Sequence, residues 1–509
     1  MSIGLRPRQS QYQRLTGRFY LSVADKHNHN TNVRFEQLSK GDLMLKKLGL
    51  LATLTLPLSA QAAGFDASQM SLLWGLPFAC ILLSIALFPL FAPHIWHHSF
   101  GKITAFWTIL FLAPFTFVYG MGETVHTVAH ALLAEYIPFI LLLWALFTVS
   151  GGILVKGNIQ GSAKTNVIIL ALGTFLASIM GTTGAAMLLI RPLLRANENR
   201  QHKVHVVVFF IFLVANIGGG LTPLGDPPLF LGFLKGVDFM WTVKHMMMPV
   251  LISSVVLLTV FYFIDRHFWK KEDAATSETV SSDEKISIEG KLNFVWLIGI
   301  IAAVLMSGMW KSGVEFNILG TPVSLQNIVR DVIFIIIGIV SLKTTAKSLR
   351  EANDFNWGPI QEVGKLFLGI FITIAPVLAM LKVGSDGAFA GLVALAHDAQ
   401  GQPINSVYFW MSGILSAFLD NAPTYLVFFN LASGDAVELM TTLETTLLAV
   451  SMGSVFMGAL SYIGNAPNFM VKAIAEQNRV KMPSFFGYMA WSFGILVPLF
   501  ILHTLIFFI

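Results

Sequence analysis

Two stretches of this chain set glycine, proline and a carboxylate, or its amide, inside otherwise apolar sequence. The first reads Gly219-Gly220-Leu221-Thr222-Pro223-Leu224-Gly225-Asp226-Pro227-Pro228-Leu229-Phe230, the second Gly458-Ala459-Leu460-Ser461-Tyr462-Ile463-Gly464-Asn465-Ala466-Pro467-Asn468-Phe469. In register, Gly219/Gly458, Leu221/Leu460, Gly225/Gly464, Pro228/Pro467 and Phe230/Phe469 are identical, while Thr222 faces Ser461 and Asp226 faces Asn465. Two further breaks read Gly181-Thr182-Thr183-Gly184 and Asp420-Asn421-Ala422-Pro423-Thr424. Their polar inventory is Thr182, Thr183, Asn216, Thr222, Asp226, Asp420, Asn421, Thr424, Ser461, Asn465 and Asn468, with no Lys or Arg. Hydroxyls, amides, freed carbonyls and two carboxylates suit a small hard cation, which prefers oxygen ligands. A carboxylate withdrawn from water also holds its proton more tightly, so proton and cation would compete for one group. A carrier that moves only when that group is occupied would exchange them. Asp226 in Gly-Asp-Pro-Pro is also suited to cap a helix that begins with proline. A cap survives replacement by Asn; proton exchange does not.

These breaks must sit in membrane helices. The 509 residues are 55% hydrophobic and 12% charged, which describes an all-α polytopic membrane protein and excludes a soluble enzyme. Exposed to lipid, freed backbone groups are costly and an Asp costs about 2.5–3.5 kcal/mol, so the breaks belong in a protein-lined interior. The net charge of +5 fits Lys- and Arg-rich cytoplasmic loops; nucleic acid is not an expected partner. Cys80 is the single cysteine, so an intrachain disulfide is excluded. No Gly-rich phosphate loop with its Lys supports ATP-driven pumping.

The Lys/Arg bias predicts two repeats of opposite topology, each with about five crossings and one re-entrant hairpin. The first hairpin turns at Thr182-Thr183, because a single crossing there would leave Arg191, Arg195, Arg200 and Lys203 outside. The second turns at Asp420-Asn421, and Ser178 aligns with Ser416. The helices after each hairpin are discontinuous at Gly218–Pro228 and Tyr462–Pro467. Residues 1–43 read as a disordered extension or an artefact of the assigned gene start, and 44–62 as a signal peptide or extra first helix. The first repeat spans 63–269, the cytoplasmic linker 270–291 and the second repeat 292–509. Paired interruptions in two halves are the sequence mark of a secondary transporter's binding site.

A second constellation precedes the third helix of each half. His126 and His130 share a helix face, Glu135 follows, and Glu362 holds a similar place in the second half. Glu135, His130 and Glu362 are candidates for proton relay or pH sensing, against an interfacial structural role for the histidines. The pattern is not a zincin motif, and no activated nucleophile supports an intramembrane enzyme.

Met180–Ala186, the Thr-Pro-Leu-Gly-Asp-Pro-Pro-Leu-Phe run within 218–231, Phe418–Thr424 and Ser461–Met470 closely resemble the NhaD-type sodium/proton antiporters. These belong to an ion-transporter superfamily that includes arsenite, citrate and dicarboxylate carriers. The resemblance covers the chain from residue 70 onward. It implies efflux of Na⁺, and of Li⁺, in exchange for H⁺ across a bacterial inner membrane, serving sodium and pH homeostasis. It also implies a homodimer with a static scaffold and an elevator-like transport domain, with lipid and the transported ions as partners and no cofactor. Carried over residue by residue, it points to Asp226, Asp420, Asn421, Thr222, Ser461 and Asn465, with Na⁺ at Asp226, Asp420, Asn421 and Asn465. The alternative within the superfamily is an anion carrier, for dicarboxylate or arsenite, using Thr182-Thr183 and the hairpin helix dipoles.

Overall fold

The structure is a computed structural model that describes residues 66–157, 160–272 and 287–509. The expected extension and signal segment, residues 1–62, and most of the linker lie outside the described residues. The first repeat contains α1 (Leu76–Phe91), α2 (Pro93–His130), a π-turn (Ala131–Tyr136), α3 (Ile137–Ser150) and strand β1 (Leu154–Lys156). The hairpin α4 (Ala163–Met180) and α5 (Thr182–Ala196) follows, then α6 (Val204–Leu213), α7 (Pro227–Leu234) and α8 (Phe239–Trp269). The linker ends in β2 (Ser287–Glu289), and the second half runs from α9 (Leu292–Met309) through the β3–β4 hairpin (Glu315–Ile318, Thr321–Ser324), α10 (Leu325–Thr344) and α11 (Lys347–Ala352). It continues with α12 (Gly358–Thr373), α13 (Ala375–Lys382), α14 (Ala390–Ala396) and the hairpin α15 (Asn405–Phe418) and α16 (Asn421–Ala432). The chain closes with α17 (Ala436–Thr441), α18 (Glu444–Phe456), α19 (Ala466–Gln477) and α20 (Phe485–Phe507).

Among the described residues, eight helices are long and apolar enough to cross a membrane, or nine if α12 and α13, bent by 40°, count as one span. The expected all-α polytopic class is what the chain adopts. Both hairpins form where the sequence breaks. At the first, Gly181 takes φ 80°, a left-handed conformation open to glycine, and the chain reverses between α4 and α5. The two discontinuous helices pass through short 3₁₀ turns at Ile217–Leu221 and Met457–Leu460 before α7 begins at Pro227 and α19 at Ala466-Pro467. Their backbones match: Thr222 and Ser461 are both extended at φ −135° and −137°, as are Asp226 and Asn465 at −141° and −156°.

Two helix bundles result. Bundle one packs α1, α2 and α3 of the first repeat with α9, α10 and α12 of the second. Bundle two packs α4 to α8 with α15, α16, α18, α19 and α20, and so holds both hairpins and both interrupted helices.

The chain kinks within α2 at Gly120 (φ 86°), and helix resumes at once toward the π-turn. One expectation changes in detail: the end of the expected linker is not free. Ser287–Glu289 pairs antiparallel with Leu154–Lys156, and Lys156 bridges to Glu289 at 2.8 Å. Asn293 then bonds Gly152 O at 3.0 Å and Thr345 Oγ1 at 2.9 Å, tying the ends of α3, α9 and α10 together.

Candidate functional site

All four breaks meet at Asp226. Its Oδ2 accepts from Asn421 Nδ2 at 2.6 Å, and its Oδ1 accepts from Thr182 Oγ1 and Asn465 Nδ2, each at 3.3 Å. One partner comes from each hairpin and one from the opposite interrupted helix. All four residues are at most 4% exposed. No basic side chain pairs with Asp226 among the described residues.

Asp226 occupies the N-cap position of α7 but makes no side-chain cap bond, which corrects the capping alternative. The local sequence explains why. A capping carboxylate accepts from the second or third helical N–H. Here the first two helical residues are Pro227 and Pro228, which have no N–H, and Leu229 N donates to the backbone oxygen of Asp226 at 3.2 Å. The carboxylate is left to turn into the interior. Asp420 behaves in the opposite way: it caps α16, accepting from Ala422 N at 3.0 Å, and is not among the groups that hydrogen-bond Asp226.

The remaining expected site residues divide. Thr222 donates to Ser178 O at 2.5 Å, and Ser461 donates to Ala417 O, so both hydroxyls clip an interrupted helix to the adjacent hairpin. Ser178 and Ser416 return the contact, donating to Gly218 O at 2.5 Å and Ser454 O at 2.6 Å. Thr222 and Ser461 are therefore anchors; neither hydrogen-bonds the carboxylate. Thr183 is half-buried beside Thr182 and is not among the side chains that bond Asp226. Close backbone approach inside each break requires glycine. A Cβ on Gly225 would stand 2.3 Å from Gly219 O, and one on Gly464 2.5 Å from Gly458 O. Asn216 donates to Asn468 Oδ1 at 2.7 Å, and Asn465 to Ala215 O at 3.1 Å, which stitches the two breaks together.

The second constellation lies apart from Asp226. Glu362 accepts from Trp96 Nε1 at 3.0 Å inside bundle one. His126 faces Glu123 at 3.8 Å, His130 is within electrostatic reach of Glu135, and Glu135 pairs with Lys235.

Sequence reading missed a buried network at the base of the first hairpin. Asp265 on α8 accepts from Arg200 at 2.5 Å, His205 at 2.8 Å and Asn166 at 2.9 Å. Asn166 and Asn197 exchange amide hydrogen bonds beside it. Arg200, one of the basic residues that follow the first hairpin, is buried, its side chain 3% exposed.

Comparison with known proteins agrees with this architecture. A family model described as "Putative citrate transport" (CitMHS_2) matches residues 67–508. A protein of Mycobacterium leprae (strain TN) named "46 kDa membrane protein" is 23% identical over 314 residues, covering 61% of this chain and 68% of that protein. With one membrane-buried site assembled from paired hairpins and paired interrupted helices, and a family match over nearly the whole described length, the chain belongs to this citrate-transport family of membrane transporters.

Proposed function

We propose that this protein exchanges a small monovalent cation, Na⁺ or Li⁺, for protons across the membrane at Asp226. The observation that carries the reading is a buried carboxylate with three neutral side-chain partners and, among the described residues, no basic counter-ion. An ionised carboxylate in such a place is costly unless something compensates it. A proton does so by neutralising it, and a bare cation does so by pairing with it. Both cannot occupy the same oxygens, so their binding is mutually exclusive. Asn421 and Asn465 suit both states, since turning a side-chain amide replaces N–H donors with a carbonyl oxygen. Asn216 Oδ1, buried without a donor among the described residues, is a further oxygen in the same stitched region.

A carboxylate-anion carrier is the second reading. It is favoured by the family's description and by the N-termini of α5, α7, α16 and α19 at the breaks, since such termini attract anions. The two acidic side chains weigh against an anion as sole cargo.

The deciding experiment uses purified protein in vesicles containing a pH indicator. Chloride salts of Na⁺, Li⁺ and K⁺ are added separately, and citrate is supplied as its Tris salt. Proton movement driven by NaCl or LiCl supports exchange. Silence with every chloride salt, together with citrate uptake, would replace exchange with the second reading.

A further inference from the structure

We propose that Glu135 and Lys235 form a latch between the two helix bundles, one that opens each time the site at Asp226 changes the side it faces. The inference rests on alternating access and not on which ion is carried. Helix α7 joins the two regions: Asp226 is its N-cap and Lys235 its C-cap. Along eight helical residues the two ends stand roughly 13 Å apart, and a helix this short moves as a rigid rod. Any displacement of Asp226 relative to bundle one therefore carries Lys235 with it.

Glu135, by contrast, is fixed to bundle one. It sits in the π-turn Ala131–Tyr136, and the next residue, Tyr136, donates to Gly364 O of α12 at 3.0 Å. A π-turn inserts an extra residue into a helix, re-aims the side chains around it and recurs at functional sites. Here it brings the Glu135 carboxylate against the Lys235 ammonium. The side chains are 6% and 25% exposed, so the contact is poorly screened.

A second ion pair joins the bundles elsewhere, between Arg191 of α5 and Asp354 after α11, at 3.1 Å. There the carboxylate is 72% exposed, and such pairs hold little. The Glu135–Lys235 contact is the stronger of the two, and an ion pair at contact distance does not survive a shift of several ångströms between its partners.

The test places cysteines at both positions, Glu135→Cys with Lys235→Cys, in a Cys80→Ser background, and joins them with a short cleavable thiol cross-linker. Chloride-salt-driven proton movement and citrate uptake are scored in parallel, so a wrong cargo and a wrong latch remain distinguishable. Joining is expected to stop whichever flux the unjoined protein carries, and cleaving the linker to restore it. Undiminished flux in the joined protein overturns the latch. So does an unjoined cysteine pair that carries no flux, because two neutral side chains leave nothing to open.

Charge variants supply a second arm. Glu135→Gln and Lys235→Gln should each change the maximal rate several-fold and leave the half-saturating substrate concentration unmoved. Each single variant strands one buried charge, so the reversed pair, Glu135→Lys with Lys235→Glu, should recover the wild-type rate. A shift in half-saturation alone, or failure of the reversed pair to recover, refutes the assignment.

Discussion

Asp226 of the first repeat and Asn421 of the second share a 2.6 Å hydrogen bond. It joins the tip of one repeat's hairpin to the interrupted helix of the other. Pro228 makes this contact available by removing one N–H that a capping carboxylate would take, while the other, Leu229 N–H, goes to the Asp226 backbone oxygen. Cap position and cap function are thereby separated at Asp226 and united at Asp420.

Replacing Asp226 with Asn should abolish cation-driven proton movement, down to the level of protein-free vesicles. The variant should still insert and fold, since no cap is lost. Three donors would face an amide in place of a carboxylate, at a cost of about 1–3 kcal/mol. Thermal unfolding in detergent alongside the flux assay measures both effects. A flux near wild type would remove Asp226 from the exchange mechanism.

Asp420→Asn provides the complementary case. Asn caps helices about as well as Asp, so stability should stay within about 0.5 kcal/mol of wild type. Loss of flux at preserved stability would then report the missing charge. If instead the variant exchanges normally, Asp420 is a cap and nothing more.

Gly225→Ala and Gly464→Ala should each damage the fold, because the added Cβ would meet backbone oxygen at 2.3 and 2.5 Å. Backbone cannot rotate away as a side-chain tip can, and overpacking of this kind costs about 1–3 kcal/mol or more. Size-exclusion profiles and unfolding midpoints would register it. Matching losses at the two positions are expected, because the repeats make the same close approach.

Asp265→Ala should destabilise the protein without touching the cation site. It leaves Arg200 buried without its closest carboxylate, a change worth about 3–5 kcal/mol. A large fall in unfolding midpoint is expected, with half-saturating cation unchanged in whatever protein remains folded. An altered half-saturation at normal stability would contradict this assignment.

Much of the site was legible because glycine, proline and carboxylate are conspicuous inside apolar sequence, and because Lys/Arg bias distinguishes a hairpin from a crossing. That reasoning places Thr182, Asp226, Asn421 and Asn465 together, as the structure does. It cannot assign a hydroxyl's partner: Thr222 and Ser461 look like ligands by type but are consumed by the carbonyls of Ser178 and Ala417. Long-range charge pairing was equally hidden. Lys235 is separated from Glu135 by 100 residues and Arg200 from Asp265 by 65, and neither spacing leaves a periodic trace. The Asp226 capping alternative fails for a more instructive reason: proline at the first helical position favours the helix start, but a second proline removes one of the two donors that a cap can use.

The order of synthesis gives the Asp226 contacts a further meaning. Asn421 emerges 195 residues after Asp226, and Asn465 emerges 239 after it. At about 5–20 residues per second, the first half waits roughly 10–50 s with its acidic group lacking two of three companions. Until then that group needs water or the insertion machinery beside it. Biogenesis of this protein is thus committed late, and a chain truncated before residue 421 would present quality control with an unpartnered acid in the membrane.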